Sequence, residues 1–241
     1  MHKFLLAAAA LAFAAGTADS QTVRLGTEGA YPPYNFINDK NEVDGFEREL
    51  GDALCERAGL SCEWVVNDWD TIIPNLVGGN YDAIIAGMSI TEARAQVIAF
   101  TENYLPPEPS AYMALAGADE SVISGVVAAQ SNTIQSSHVA STDATLVEFS
   151  TPDETIAAVR NGEADAVLAD RGFVAPIADE SGGQLALVGE PLYIGGGIGI
   201  GLRQSDTELR AKLDAAIKGM KADGSLNALI TKWFQDEFPL F

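Results

Sequence analysis

A polar turn that follows an apolar run contains groups able to hold a small anion. Residues 81–85 have the composition of a buried strand, and Gly87 in the turn after it lets a ligand approach the backbone closely. Ser89 or Thr91 can cap a following helix, and Arg94 offers a planar guanidinium to a carboxylate. Because open α/β sheets place ligands beyond the carboxyl ends of their strands, the segment predicts an anion-binding loop.

The elements before this turn alternate between strand and helix. Residues 23–27 form a predicted first strand, and apolar positions from Phe46 onward recur at helical spacing until Gly59. A second strand is predicted at 62–66, followed by a short helix and then by the strand at 81–85. This order predicts a mainly parallel sheet with right-handed crossovers.

A proline-rich segment at 104–109 marks a boundary, and a second set of elements follows it. Strands are predicted at 111–116, 126–129, 146–149, 165–169 and 185–188, and helices at 153–161 and 173–179. A glycine-rich run at 193–202 returns as a strand, since it lacks the pattern of a phosphate-binding loop. The chain closes with a helix capped by Ser205 and another helix at 226–234. Two α/β lobes joined by two crossings are therefore expected, with a ligand enclosed between them by hinge motion.

The first 18 residues have the pattern of a secretory signal peptide. A short basic start is followed by an unbroken apolar run at 4–15 and then by the small residues of a cleavage site. The run is too short to span a bilayer comfortably, so export and a soluble mature protein are predicted.

Cys55 and Cys62 are the two cysteines of the chain, and seven positions separate them. In an exported protein, such a pair favours a disulfide bond between the end of one helix and the following strand. A metal site would need more ligands, and His138 is the one histidine beyond the predicted signal peptide. No metal or other cofactor is therefore expected.

The chain is strongly acidic, with 34 Asp and Glu residues against 14 Lys and Arg residues and a net charge of −20. This charge disfavours nucleic acid and anionic lipid as partners. It either serves solubility alone or raises the local concentration of cations, and the composition is compatible with both roles.

Several separated motifs resemble those of the periplasmic substrate-binding proteins of polar amino acid ABC uptake systems. They stand in the order of that family along the predicted mature chain, at 26–36, 44–47, 69–74, 81–94 and 232–234. They are most similar to members that bind basic amino acids and opines such as nopaline or octopine. The resemblance implies a two-lobed α/β periplasmic binding protein fold of type II, with lobe I at 22–107 and 196–241 and lobe II at 108–195. It also implies a monomer that delivers its ligand to an ABC transporter permease in the inner membrane.

The resemblance further implies roles for individual residues in the cleft. Arg94 would hold the ligand α-carboxylate with help from Ser89, and Asp170 would hold the α-ammonium group. Two aromatic residues would enclose the ligand side chain, and Glu28 would meet its cationic end. The full predicted binding set, in which the aromatic residues are Tyr31 and Trp69, is Glu28, Tyr31, Trp69, Ala86, Gly87, Met88, Ser89, Arg94, Asn132, Thr133 and Asp170.

Two features depart from the family pattern. The chain is shorter between Ala116 and Val126, and residues 130–133 replace the usual Gly-Thr or Gly-Ser loop of the second lobe. Two of the charged residues could also serve the fold alone, since Arg94 could pair with a surface acid and Asp170 could cap the following helix.

The same fold also carries a different class of function. It occurs in periplasmic dehydratases that resemble cyclohexadienyl dehydratase, in which a carboxylic acid in the cleft protonates a leaving hydroxyl group. Asp170 or Glu28 could take that role, but a complete carboxylate and ammonium clamp favours binding without turnover. A sensor module would need a membrane helix and a signalling domain on the same chain, and the sequence predicts neither.

Overall fold

The computed structural model describes residues 22–234 and 238–241, and the predicted signal peptide lies outside them. The strands within these ranges are, in chain order, β1 (Val23–Thr27), β2 (Ala30–Tyr31), β3 (Asn35–Ile37), β4 (Val43–Asp44), β5 (Cys62–Val66), β6 (Ala83–Ile84), β7 (Ala99–Leu105), β8 (Ser110–Leu115), β9 (Val126–Gln130), β10 (Thr145–Phe149), β11 (Ala166–Asp170), β12 (Leu185–Leu192) and β13 (Ile198–Leu202). The α-helices are α1 (Phe46–Ala58), α2 (Ile72–Val77), α3 (Glu92–Ala95), α4 (Ile134–Val139), α5 (Pro152–Asn161), α6 (Arg171–Glu180), α7 (Thr207–Ala222) and α8 (Ser225–Phe234), and short 3-10 helices lie at Trp69–Thr71 and Glu120–Ser124.

Two five-stranded sheets form the centres of two lobes, which confirms the predicted two-lobed α/β fold. The strand order is β5-β1-β6-β13-β7 in the first sheet and β10-β9-β11-β8-β12 in the second. Four of the five strands in each sheet run in the same direction, in line with the expectation of mainly parallel sheets. The exceptions are β8 and β13, the strands that enter a sheet after a crossing, because each runs antiparallel to both of its neighbours.

The chain passes between the two sheets twice. Residues 106–109 connect β7 to β8, and residues 193–197 connect β12 to β13. The second crossing runs so close to its neighbours that a Cβ atom at Gly196 would lie 2.9 Å from the carbonyl oxygen of Ile90. Gly197 has a φ of +90°, a conformation that side chains disfavour. The glycine-rich run is therefore needed for close passage, and its predicted return as a strand is confirmed by β13.

α1 packs one apolar face into the core of the first lobe. Phe46, Leu50 and Leu54 are fully buried, at the helical spacing from which the helix was predicted. Gly59 ends the helix in the left-handed conformation, which glycine adopts without a steric penalty.

A disulfide bond joins the last turns of α1 to the start of β5. It links Cys55 to Cys62, with 6.3 Å between the two Cα atoms, and confirms the predicted pairing. Within the described ranges, no helix combines the length and the apolar character that a bilayer crossing requires.

Several elements differ from the prediction. β6 is shorter than the strand predicted at 81–85, and β7, α4 and the small sheet of β2, β3 and β4 were not predicted. α7 begins at Thr207 with Asp206 as its N-cap residue, so the predicted cap at Ser205 is wrong. The Ser205 hydroxyl instead donates a hydrogen bond to Asp206 Oδ1 at 2.9 Å.

Candidate functional site

A small cavity lies between the lobes, beyond the ends of strands from both sheets. Its volume is about 30 Å³, which leaves room for little more than water. The first lobe lines it with Glu28, Tyr31, Trp69, Ala86, Gly87, Ser89 and Arg94, and the second lobe with Gln130, Thr133, Ile134, Gln135 and Asp170. An amino acid would fit only if the lobes moved apart.

Arg94 is positioned by the start of α3. Thr91 is the N-cap residue of this helix, and its hydroxyl accepts a hydrogen bond from the Arg94 backbone N–H. The guanidinium donates to the Ser89 carbonyl at 2.8 Å and, across the cleft, to the Asn132 carbonyl at 3.1 Å. It also lies over the Trp69 ring, 5.3 Å from the ring centroid. These contacts fix the guanidinium in one orientation.

Burial lowers the pKa of Arg94 to about 10, and the negative charge of Asp170 acts in the opposite direction. Arg94 therefore keeps its proton at neutral pH. A cation in this partly dry site is a strong partner for a carboxylate.

Asp170 is the last residue of β11 and faces the same cavity from the second lobe. Its carboxylate accepts hydrogen bonds from Gln135 Nε2 at 2.7 Å and, across the cleft, from the Tyr31 hydroxyl at 3.0 Å. Burial raises the pKa of Asp170, and the hydrogen bonds and the charge of Arg94 partly offset this rise. The Tyr31 ring stacks on Phe173 with 4.2 Å between the ring centroids.

Glu28 follows the end of β1 and forms an acidic end of the cavity. Its carboxylate accepts a hydrogen bond from Gln130 Nε2 of the second lobe at 2.6 Å. Burial raises the pKa of Glu28 to about 7, with further contributions from Asp70, Asp68 and Asp153. Four carboxylates thus act on one end of the cavity, where a cation would be the complementary group.

A buried carboxylate supports the loop between β6 and α3 from beneath. Glu47 accepts hydrogen bonds from the Gly87 backbone N–H at 2.6 Å, from Asn35 Nδ2 at 2.6 Å and from the Tyr104 hydroxyl. Gly87 has a φ of +59°, so this loop position favours glycine. A fully bonded network of this kind holds the loop in one conformation.

The cavity contains nine of the eleven residues predicted to bind a ligand, namely Glu28, Tyr31, Trp69, Ala86, Gly87, Ser89, Arg94, Thr133 and Asp170. Met88 is fully buried in an apolar cluster with Trp69 and Ile72. The Asn132 side chain donates to Asp70 Oδ1 at 2.9 Å. Both residues line a neighbouring cavity rather than the central one.

Three cavity residues, Gln130, Ile134 and Gln135, were not in the predicted set. They lie at the end of β9 and in the first turn of α4, the short helix that was also missed. Thr133 caps this helix by accepting a hydrogen bond from the Ser136 backbone N–H. The order of strand, hydroxyl cap and helix is the pattern from which Arg94 was predicted. The same pattern could have indicated the loop between β9 and α4.

Comparisons with known proteins agree with the two-lobed fold. The model of the family described as bacterial extracellular solute-binding proteins, family 3, matches residues 23–236. A periplasmic His/Glu/Gln/Arg/opine family-binding protein from Silicibacter pomeroyi, solved in complex with lysine, is 66% identical, with a TM-score of 0.89 and coverage of 91% of this chain and 100% of that chain. The histidine-binding periplasmic protein of Salmonella typhimurium is 33% identical over 95% of this chain and 94% of its own length. The L-arginine-binding protein of Pseudomonas aeruginosa is 31% identical over 90% of this chain and 89% of its own length.

Proposed function

This chain belongs to family 3 of the bacterial extracellular solute-binding proteins, and on that basis we propose that it captures a basic amino acid, or an opine, between its lobes. The relatives described above are binding proteins, so a dehydratase on the same fold is the less supported alternative. The ligand would be handed to an ABC importer.

Among the observations, the distribution of charge around the cavity gives the strongest support to a basic ligand. Arg94 would bind the α-carboxylate, and Asp170 would bind the α-ammonium group. Glu28, surrounded by further carboxylates, would bind a cationic group at the end of the ligand side chain. These three residues together carry a charge of about −1 when Glu28 is ionised, and a basic amino acid carries about +1 at neutral pH. The closed complex would then be electrically balanced.

Two side-chain amides mark where the cationic groups of the ligand would lie. Gln130 donates to Glu28 and Gln135 donates to Asp170, at 2.6 and 2.7 Å. An ammonium or guanidinium group offers the same donors with a positive charge, so it would form stronger, charge-assisted bonds to these carboxylates. We therefore propose that the ligand displaces both contacts as the cleft opens and closes again around it.

We propose that lobe I comprises 22–107 and 196–241, that lobe II comprises 108–195, and that both crossings act as the hinge. The lysine complex of the 66% identical protein supports lysine as the first ligand to test, followed by arginine, ornithine and histidine. The relatives named as periplasmic support residence in the periplasm after removal of the signal peptide. A permease in the inner membrane would receive the ligand from a monomer of this chain.

A thermal-shift screen tests the proposal. The protein is first unfolded, washed and refolded to remove any retained ligand, and is then heated with single L-amino acids or with octopine and nopaline. A ligand at ~100 times its dissociation constant adds about 2.7 kcal/mol to the free energy of unfolding. We expect the largest rise in Tm with a basic amino acid or an opine. A large rise with glutamine or glutamate, and none with basic compounds, would refute the proposal.

A further inference from the structure

Asp70 bridges the two lobes outside the central cavity. It lies in the 3-10 helix Trp69–Thr71 of the first lobe and is exposed. Its Oδ1 atom accepts two hydrogen bonds from the second lobe, one from Ser131 Oγ at 2.5 Å and one from Asn132 Nδ2 at 2.9 Å. Asp70 does not line the cavity that contains Glu28 and Arg94.

The loop of the second lobe is shaped to present these two donors together. Asn132 has a φ of +57°, in the left-handed region that asparagine tolerates better than most residues. The Ser131 backbone N–H donates to the Phe149 carbonyl at 2.9 Å, and Thr133 caps α4. The loop is therefore held on both sides of the donors, and its side chains reach the first lobe.

We propose that Asp70, Ser131 and Asn132 form an interlobe latch that prolongs the closed state and so sets how long a ligand remains bound. This inference rests on the proposed function and assigns Asp70 as a positioning residue that does not touch the ligand. Asn132 also presents its carbonyl to Arg94, so the latch and the candidate carboxylate-binding residue meet at the same loop.

A latch has a specific kinetic signature. The hydrogen bonds to Asp70 form only when the lobes are closed, whereas a ligand enters the open cleft. Loss of the latch should therefore accelerate opening and ligand release and leave the association rate constant nearly unchanged. A different role for Asp70, the electrostatic attraction of a cationic ligand, would mainly change the association rate constant and its dependence on salt.

The test is a double-mutant cycle followed by stopped-flow tryptophan fluorescence with L-lysine as the probe. The variants are Asp70→Ala, Ser131→Ala and the combination of the two. We expect Asp70→Ala to accelerate release about tenfold, as expected for lost hydrogen bonds to a charged acceptor. The double variant should release L-lysine no faster than Asp70→Ala alone, because Ser131 acts through Asp70. Additive effects, or an unchanged release rate in Asp70→Ala, would overturn the latch.

Asp68→Ala is the matched electrostatic control. Asp68 is a neighbouring exposed acid whose charge, like that of Asp70, raises the pKa of Glu28. Among the described residues, no hydrogen bond joins its carboxylate to the second lobe. Because it loses a similar charge but no interlobe hydrogen bond, we expect Asp68→Ala to accelerate release at most about threefold, well below the effect of Asp70→Ala. Equal acceleration in both variants would show that charge, and not the latch, controls release.

If the wild-type protein does not bind L-lysine, that result counts against the proposed function and leaves the latch to be tested by a second measurement. Fluorophores are then attached to Lys40→Cys and Asp143→Cys, one exposed position in each lobe, and closure is followed by single-molecule energy transfer without ligand. The latch predicts a closed population that falls at least about fivefold in Asp70→Ala. Equal closed populations in the two proteins would overturn it.

Discussion

Arg94 and Asp170 face one cavity from different lobes with opposite charges. If they hold the α-carboxylate and the α-ammonium group of the ligand, the loss of either side chain leaves one of these charged groups desolvated and without a partner. We expect Arg94→Ala and Asp170→Ala each to weaken binding by roughly 2 to 5 kcal/mol. Isothermal titration calorimetry measures this loss.

Arg48→Ala provides the control for the loss of a positive charge. Arg48 pairs with Asp52 on the surface of α1, away from the cavity. Its removal should leave affinity within experimental error of the wild type. Wild-type affinity in Arg94→Ala or in Asp170→Ala would rule out the clamp.

The pKa of Glu28 predicts a pH dependence of ligand binding. Burial, with further contributions from Asp70 and Asp68, raises this pKa to about 7, so the carboxyl is mostly protonated below that pH. A cationic ligand favours the ionised form, and binding below about pH 7 therefore releases a proton. We expect affinity for L-lysine to rise at least about tenfold between about pH 5 and about pH 7 and then to level off.

Glu28→Gln should reduce this pH dependence, because the substituted amide does not titrate. It should also weaken the binding of L-lysine by roughly 2 kcal/mol or more and leave the binding of a neutral amino acid of similar size unchanged. Calorimetry of both proteins across the pH range provides the comparison. An identical pH profile in wild type and variant would show that Glu28 does not contact the ligand cation.

The same pKa has the opposite consequence for the stability of the ligand-free protein. The folded state retains the Glu28 proton up to about pH 7, whereas an unfolded chain releases it near the ordinary value of 4.5. The unfolded state thus binds fewer protons between these values. The contribution of Glu28 to the free energy of unfolding therefore falls as pH rises through this window.

At the scale of elements, the disulfide bond ties α1 to β5 and closes a short loop. Replacement of Cys55 and Cys62 by alanine relaxes the unfolded chain, and we expect the free energy of unfolding to fall by roughly 2 kcal/mol. Urea titration of the double variant measures the change. Reduced wild-type protein should lose a similar amount, and a stable double variant with an unchanged midpoint would contradict this role.

The sequence predicted the elements that depend on local patterns. β1, α1 and β5 have the predicted bounds, because apolar spacing and Gly59 are local signals. β7 was missed because it forms by pairing with β13, which lies far later in the chain. Such a non-local contact leaves no periodic trace within β7.

In the candidate site, too, the sequence predicted the residues that belong to local patterns. Glu28 follows β1, Asp170 ends β11 and Arg94 lies in the helix after β6, and all three carry charge within recognisable motifs. Gln130 and Gln135 carry no charge and lie around α4, which is too short to show helical periodicity. Their position depends on how the two lobes meet, and a single motif does not contain that information.

At the scale of the whole molecule, closure brings charged groups from both lobes into a confined space. A ligand stabilises the closed state when it matches those charges, because each desolvated charge then gains a partner. Glutamine would leave Glu28 without a cation. A basic amino acid would satisfy Arg94, Asp170 and Glu28 together, which is the central claim about this protein.

The most direct test of this claim is a calorimetric comparison of L-lysine, L-arginine and L-glutamine on one ligand-free preparation near neutral pH. The charge balance predicts that at least one basic amino acid binds more tightly than L-glutamine by roughly 2 kcal/mol, a factor of about 30. L-Glutamine binding as tightly as both basic amino acids, or more tightly, would contradict the assignment of a basic ligand.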